Sequence, residues 1–383
     1  MITEIYVDNF RCFTNFRIKP GGFQLWLGDN GSGKTSVMDA LRRLQRLMRG
    51  EHVADIFQRN SLTSWDLRKE QTFGLSWMID GEAYQYTVTV EHADQEDKRR
   101  IKEEKLLWQE SPFYWFDGQE AHLYRINRTN QATEEETTFP AKWDRSMIPT
   151  IGPREDNTPL IQFRNAFENL LIIHPVPIAI GDIAAFESHA LSQHAENFAQ
   201  WYRHLLQENP NIAYRAKQLL EDVLPGFEQL SLKESGDSRR LTATFRIQKT
   251  DRVFNFKDLS DGQRQLIVLY TVLEALRAGV FSTVLIDEPD NFVSMREIQP
   301  WLENLNEICD EQGKQALIIS HHPEIINKMA RGPELWFSRQ RGAHIIAGPF
   351  PQIAGLPPAE VVARGWDDGQ GIANYPSLRR QGP

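Results

Sequence analysis

The run Gly28-Asp29-Asn30-Gly31-Ser32-Gly33-Lys34-Thr35 restricts this chain more than any other feature. It matches G-x-x-x-x-G-K-[ST] and follows the apolar stretch Phe23-Gln24-Leu25-Trp26-Leu27. After it, Val37, Met38, Leu41, Leu44 and Met48 recur at three- and four-residue spacing, with Gly50 as the expected stop. The order is strand, glycine-rich loop, helix. Glycines let successive backbone N–H groups turn toward phosphate oxygens, and the helix N-terminus adds a favourable dipole. In such a loop Lys34 reaches the β- and γ-phosphates and the Thr35 hydroxyl meets Mg²⁺. Asn30, Gly31, Ser32, Gly33 and Ser36 complete the candidate cradle. From average composition, a chance match in a chain of this length arises about 1 time in 100.

Composition sets the class. The 383 residues are 40% hydrophobic and 25% charged, with net charge −9, which is globular usage. Domains cluster at ~100–150 residues, so two or three lobes are expected. Cys12 and Cys309 are the only cysteines, which excludes a disulfide framework and a Cys-rich zinc module and suits a reducing cytoplasm. Met1-Ile2-Thr3-Glu4 has neither a basic nor an apolar leader region, and Leu170–Phe186 is broken by His174, Pro175, Pro177 and Asp182, so no membrane span is expected. The acidic balance argues against a basic-coated nucleic-acid binder and leaves room for nucleic acid only in a local groove.

Along the chain, Ile5, Val7, Phe10, Phe16 and Ile18 precede the loop in extended runs. Phe73–Ile79 and Tyr84–Val90 alternate around Asp80-Gly81, a hairpin signal. Glu91–Lys105 is almost all charged and reads as a solvated turn with strand ends, and 109–165 is mixed, with Glu134-Glu135-Glu136 and the prolines at 140, 149, 153 and 159 suggesting loops. Residues 184–224 look helical, broken at Asn209-Pro210-Asn211. Then come two strands around Gly236-Asp237, a helix from about Gly262 to Arg277, the buried strand Thr283–Ile286 and a helix from about Arg296 to Glu311. The buried strand Gln315–Ser320 follows, then a hairpin turning at Arg341-Gly342; the tail from Asp367 reads as loose. Strands alternating with helices at both ends predict an α/β fold with an inserted antiparallel β lobe and a short helical lobe. The expected parts are 1–72 and 226–350 as the two halves of the core, 73–183 as the β-rich insert, 184–225 as the helical lobe and 351–383 as an extension.

Three further segments carry chemistry. Val284-Leu285-Ile286-Asp287-Glu288-Pro289 is a buried strand that delivers acids at its end, as phosphate-loop enzymes do to hold Mg²⁺. Asp287 fits the metal and Glu288 fits the group that orients or deprotonates the attacking water. Leu259-Ser260-Asp261-Gly262-Gln263 opens a helix whose N-terminus reads as unblocked and rich in donors (Ser260, the Gly262 N–H, Gln263), a second anion site compatible with Ser260 or Asp261 as plain N-cap. Ile318-Ile319-Ser320-His321-His322 puts the His321 imidazole after a strand next to the Asp287 strand, within reach of a γ-phosphate or its water.

In this order the four elements resemble the ATP-binding-cassette (ABC) ATPase head of the SMC/RecF/OLD group, of the compact AAA-annotated kind. Ile5–Phe13 resembles the group's opening strand motif, Leu259–Gln263 its signature, Asp287-Glu288-Pro289-Asp290 its Walker B and D-loop, and Ser320-His321 its switch histidine. The resemblance covers roughly 1–50 and 226–350. It implies a P-loop NTPase using ATP and Mg²⁺, with two heads paired head to tail. Each ATP would meet Lys34, Thr35, Asp287, Glu288 and His321 of one head, and Ser260 and Gly262 of the other. Arg11 is carried over near the nucleotide. The group's Q-loop is not identifiable; Gln58, Gln71, Gln109 and Gln162 are open candidates. Asn291-Phe292-Val293-Ser294 is an unusual D-loop.

The segment 184–224, with Pro210 inside, leaves no long coiled-coil arm, and the 33 residues after Phe350 are too few for a toprim domain. Any nuclease is therefore expected in a separate effector partner, with defence against phage or DNA repair as the setting. A nucleotide-gated scaffold with little turnover, a transporter ATPase and a small-molecule kinase are the competing readings. Bland readings hold elsewhere. Glu187, His189, His194 and His204 belong to a solvated helix rather than a metal site, Arg42, Arg43, Arg46 and Arg49 to a solvated face, and Trp108, Tyr114, Trp115 and Phe116 to the packing of the β lobe.

Overall fold

The computed structural model describes residues 1–93, 99–127, 132–329, 334–340, 344–350, 353 and 355–364. The chain forms two units, Met1–Leu170 with Ala330–Pro383, and Leu171–Met329.

The first unit opens with β1 (Ile2–Asp8), β2 (Phe16–Ile18) and β3 (Phe23–Gly28), then α1 (Lys34–Met48) and a short α2 (Val53–Ile56). β4 (Glu70–Ile79) and β5 (Glu82–His92) meet over Asp80 and Gly81, both at positive φ, as a tight hairpin turn requires. β6 (Arg99–Trp108), β7 (Ser111–Phe116), β8 (Glu120–Ile126) and β9 (Thr133–Pro140) follow. These strands form one eight-stranded sheet, ordered β2-β1-β4-β5-β6-β7-β8-β9, with antiparallel pairings. The sheet is therefore continuous with the first strand of the chain: Ile5 faces Leu75. α3 (Thr158–Glu168) lays Phe163 and Phe167 on Tyr86 and Trp77, with ring centroids 5.3 and 5.2 Å apart. Aromatic contacts of this kind add about 0.5–1.5 kcal/mol each to the burial itself. Tyr114 and Phe116 are buried in the same sheet, and Trp115 stacks on His122, so these aromatics pack the lobe.

Two sequence readings are corrected here. The charged stretch up to Lys105 contains the first half of β6, in which Ile101, Glu104 and Leu106 are buried, so a carboxyl group sits on the inner face where an apolar residue would have shown the pattern. The stretch 109–165 holds three strands and α3 rather than loops. Glu134-Glu135-Glu136 lies in β9, the last strand of its sheet, where no residue is buried and no alternation is imposed.

The second unit contains β10 (Leu170–Ile173), β11 (Ile183–Ala184), α4 (Phe198–Glu208), α5 (Pro210–Val223), β12 (Phe227–Ser235), β13 (Ser238–Ile247), β14 (Thr250–Asn255) and α6 (Asp261–Arg277). β15 (Thr283–Asp287), α7 (Met295–Gln312), β16 (Gln315–Ile319) and α8 (Pro323–Met329) complete it. The helical reading of 184–224 holds from Phe198 only. Residues 185–197 are irregular, held by the Asn197 amide on Ser188 Oγ and the Ala190 carbonyl, so His189 and His194 do not lie on a helix. Pro210 occupies the first position of α5, where its missing N–H costs nothing. β15 and β16 run parallel, from Thr283↔Gln315 to Asp287↔Ile319, and every residue of both is buried. β10 lies beside β15. α6 is buried all round from Gln265 to Leu276, the mark of a central helix. Each of its leucines and isoleucines contributes roughly 1.5–3 kcal/mol.

The first unit resumes with β17 (Leu335–Gln340), β18 (His344–Pro349) and α9 (Pro358–Ala363). β17 runs parallel to β3, pairing Phe337 with Gly28, and antiparallel to β18. The expected turn at Arg341-Gly342 and the tail from Asp367 lie outside the described residues. Among those described, no helix is long and apolar enough to cross a membrane. Both cysteines are free thiols.

Candidate nucleotide site

In the first unit β3 ends at Gly28 and α1 begins at Lys34. Two glycines of the loop between them are fixed by space as well as φ. At Gly28 (φ 140°) a Cβ would lie 2.2 Å from the Phe337 carbonyl, and at Gly33 (φ 97°) 2.8 Å from the Phe13 ring. No side chain caps α1 at Gly33, and no acid sits in its first turn, so its N-terminal N–H groups and dipole are left for an anion. Lys34 is only 5% exposed. Its ammonium donates to the carbonyls of Gly28 (2.5 Å) and Asp29 (3.0 Å) and to Ser32 Oγ (3.2 Å), folding back over the loop. Asn30, Gly31 and Thr35 are exposed, Ser32 and Gly33 are buried, and Ser36 is half-buried.

The segment after β1 braces this loop. Asn9 (φ 53°) is wholly buried: its amide donates to the Arg68 and Glu70 carbonyls, and its side-chain oxygen accepts from the Thr63 N–H. Arg11 (φ 52°) pairs with Asp39 of α1 at 2.9 Å, and Asp39 also accepts from Arg43 at 3.0 Å. The Cys12 thiol sits against Gly33 and Ser36. Burial pushes it up, against the pull of the Ser36 hydroxyl and the Arg339 and Arg11 charges.

In the second unit Asp287 ends β15, 6% exposed. Glu288 follows in a left-handed conformation (φ 51°), with its N–H on the Ile319 carbonyl (2.8 Å) and its carboxylate accepting from the Asn291 amide (2.8 Å). The strand-end turn is thus tied to β16, and the Glu288 side chain is aimed by Asn291. His321 is exposed two residues beyond β16, after Ser320, whose buried hydroxyl accepts from the His322 N–H.

In the signature segment the structure bears out Ser260 as N-cap and corrects the reading of an unblocked helix end. The α6 N-terminus is not unblocked. Ser260 and Gln263 form a capping box: Ser260 Oγ accepts from the Gln263 N–H (3.3 Å) and Gln263 Oε1 accepts from the Ser260 N–H (3.0 Å). Gly262 is packed so tightly that a Cβ would lie 2.5 Å from the Phe292 carbonyl, and the buried Gln265 amide donates to the Pro289 carbonyl (3.2 Å). This segment therefore grips the turn that follows Glu288.

Sequence reasoning missed His174, noticed only as a break in an apolar run. It follows β10, and its Nδ1 lies 3.8 Å from Asp287 Oδ2, too far for a hydrogen bond, with no other hydrogen-bond partner among the described residues. Two of the glutamine candidates are otherwise engaged. Gln71 is buried between the Asn9 carbonyl and His92, and Gln162 holds the Tyr84 hydroxyl. Gln109 sits exposed at positive φ just past β6, and Gln58, also exposed, opens the short turn Arg59–Ser61. His189 meets His204 edge to face with centroids 4.4 Å apart, and no three His, Cys, Asp or Glu side chains gather in a way that could hold a metal ion among the described residues.

Each unit carries groups of the kind that a magnesium nucleotide takes. Thr35 and Asp287 carry hard oxygen donors, the type Mg²⁺ takes when substrate phosphates and water fill the rest of its shell. At Gly33 a side chain would strike the Phe13 ring and the Cys12 thiol, so the backbone there stays bare.

A protein-family profile described as "AAA domain, putative AbiEii toxin, Type IV TA system" matches residues 27–327. No curated protein matches the sequence. Among solved structures, an SMC head bound to the C-terminal winged-helix domain of ScpA is similar over 91% of this chain and 97% of that one, with TM-score 0.52 and 14% identity. The SMC head domain from Thermotoga maritima is similar over 92% and 99%, with TM-score 0.47 and 12% identity. The first likeness shows the fold, the α/β P-loop fold of ABC-type ATPase heads.

Proposed function

We propose, since the chain belongs to the family of AAA domains described as putative AbiEii toxin of type IV toxin–antitoxin systems, that it binds and hydrolyses ATP with Mg²⁺. The observation that carries this reading is the phosphate loop: a strand, an uncapped helix and a buried lysine, with Gly28 and Gly33 where no side chain fits. Lys34 would exchange its carbonyl partners for phosphate oxygens, the stronger charge-assisted bonds. Thr35 and Asp287 would hold Mg²⁺, which would neutralise charge on the phosphates. Glu288, aimed by Asn291, would orient the attacking water and take up its proton, and His321 would meet the γ-phosphate.

Pairing of two heads on ATP belongs to the same proposal. Ser260 Oγ also donates to Gln263 Oε1 in the single chain (3.2 Å), so its hydrogen has to turn from that acceptor to meet a phosphate held by a second copy. The biological setting we favour is the sensor or scaffold half of an anti-phage defence or repair system with a separate effector such as a nuclease. It is supported by the toxin–antitoxin description of the family. The second reading, a nucleotide-gated scaffold with little turnover, is favoured by the closed capping box. A Glu288→Gln variant separates the two in light scattering with Mg·ATP. Accumulation of a dimer, with turnover at least about tenfold below wild type, fits an essential general base. Wild-type turnover in that variant refutes the role given to Glu288.

A further inference from the structure

Arg339 has a place at the phosphate loop that no sequence motif gives it. β17 runs under the loop: Phe337 pairs with Gly28, and the Phe337 carbonyl is the atom that forbids a side chain there. Arg339 lies two residues on, hence on the same face of the strand as Phe337. Its Nη2 donates to the carbonyl of Gly31, at the exposed tip of the loop (2.9 Å). A guanidinium has five N–H donors. Arg339 is exposed, and its guanidinium makes no ion pair among the described residues. Arg11, the arginine that sequence reasoning placed at the nucleotide, differs: its charge is matched by Asp39 at 2.9 Å. The Cys12 thiol, packed on the loop, feels both guanidiniums.

We propose that Arg339 is a nucleotide-binding residue, holding the loop through Gly31 and offering its remaining donors to the phosphate tail of the nucleotide. The proposal rests on the ATP reading of the loop. Arginine suits the task because its charge is permanent and its fork matches phosphate oxygens.

Two variants test it in calorimetric titrations with Mg·ATP and Mg·ADP. Arg339→Gln keeps a donor for the Gly31 carbonyl and removes the charge, while Arg339→Lys keeps the charge. Loss of one charge-assisted contact predicts affinity about tenfold weaker or worse for R339Q, with R339K within about threefold of wild type. The melting temperatures without nucleotide stay level, since Arg339 is exposed. R339Q binding ATP as tightly as wild type overturns the proposal, and so does R339K losing as much as R339Q. A wild-type protein that binds no ATP fails the functional reading itself, whereas undiminished binding in R339Q fails only the role of Arg339.

Discussion

At the scale of single residues, the loop and the acid pair were legible because each is a contiguous run whose chemistry depends on its own neighbours. Lys34, Thr35, Asp287 and Glu288 needed nothing distant to be noticed. His174 did, because its meaning comes from the pairing of β10 with β15, a long-range fact that local sequence does not carry. Lys34→Ala removes an ammonium that would bond phosphate, and ATP affinity should fall by roughly 10- to 100-fold in an equilibrium titration. His174 stands where it can steady the Asp287 carboxylate. With His174→Ala, the Mg²⁺ concentration needed for half-maximal ATP binding should rise roughly tenfold, the usual size of an outer-shell effect, and a Mg²⁺ titration at fixed ATP reads it. An unchanged midpoint would remove His174 from the site.

At the scale of elements, the hairpin of β4 and β5 was readable from Asp80-Gly81 and the alternation on either side. β9 was not, since a strand with no buried face carries no apolar signal. β6 was hidden by Glu104, which is fully buried and accepts from the Tyr86 hydroxyl (2.6 Å) and the Ser146 hydroxyl (2.7 Å). Burial pushes its carboxyl up to about 7, against the pull of those two hydroxyls. Between the ordinary value of 4.5 and about 7, the folded protein keeps a proton that the unfolded chain has released. Stability should therefore fall as pH rises through that window, by about 1.4 kcal/mol per pH unit, and level off above it. Urea melts at several pH values should show this slope in the wild type and lose it in Glu104→Gln. The start of α6 supplies another element-scale test. Gly262→Ala drives a methyl group against the Phe292 carbonyl, so the turn after Glu288 has to shift, at a cost of about 1–3 kcal/mol. A melting temperature equal to wild type would show that this turn yields freely.

For the whole molecule, the alternation of strands and helices announced an α/β fold, and the ATPase-head likeness bears this out. The sequence did not reveal that the antiparallel sheet begins with β1 and β2, so that the motif segment Asn9–Phe13 hangs from the same sheet as the insert. One consequence is that the phosphate loop is braced from two directions within its unit: by Phe13 and Cys12 after β1, and by Phe337 and Arg339 of β17. The most direct test of the central claim is a titration of the wild-type protein and Lys34→Ala with Mg·ATP, followed by phosphate release on the same samples. The account predicts one ATP bound per chain and steady release of phosphate in the wild type, and in the variant an affinity roughly 10- to 100-fold weaker with no steady release. Wild-type protein that takes up no ATP, or Lys34→Ala releasing phosphate at the wild-type rate, would contradict it.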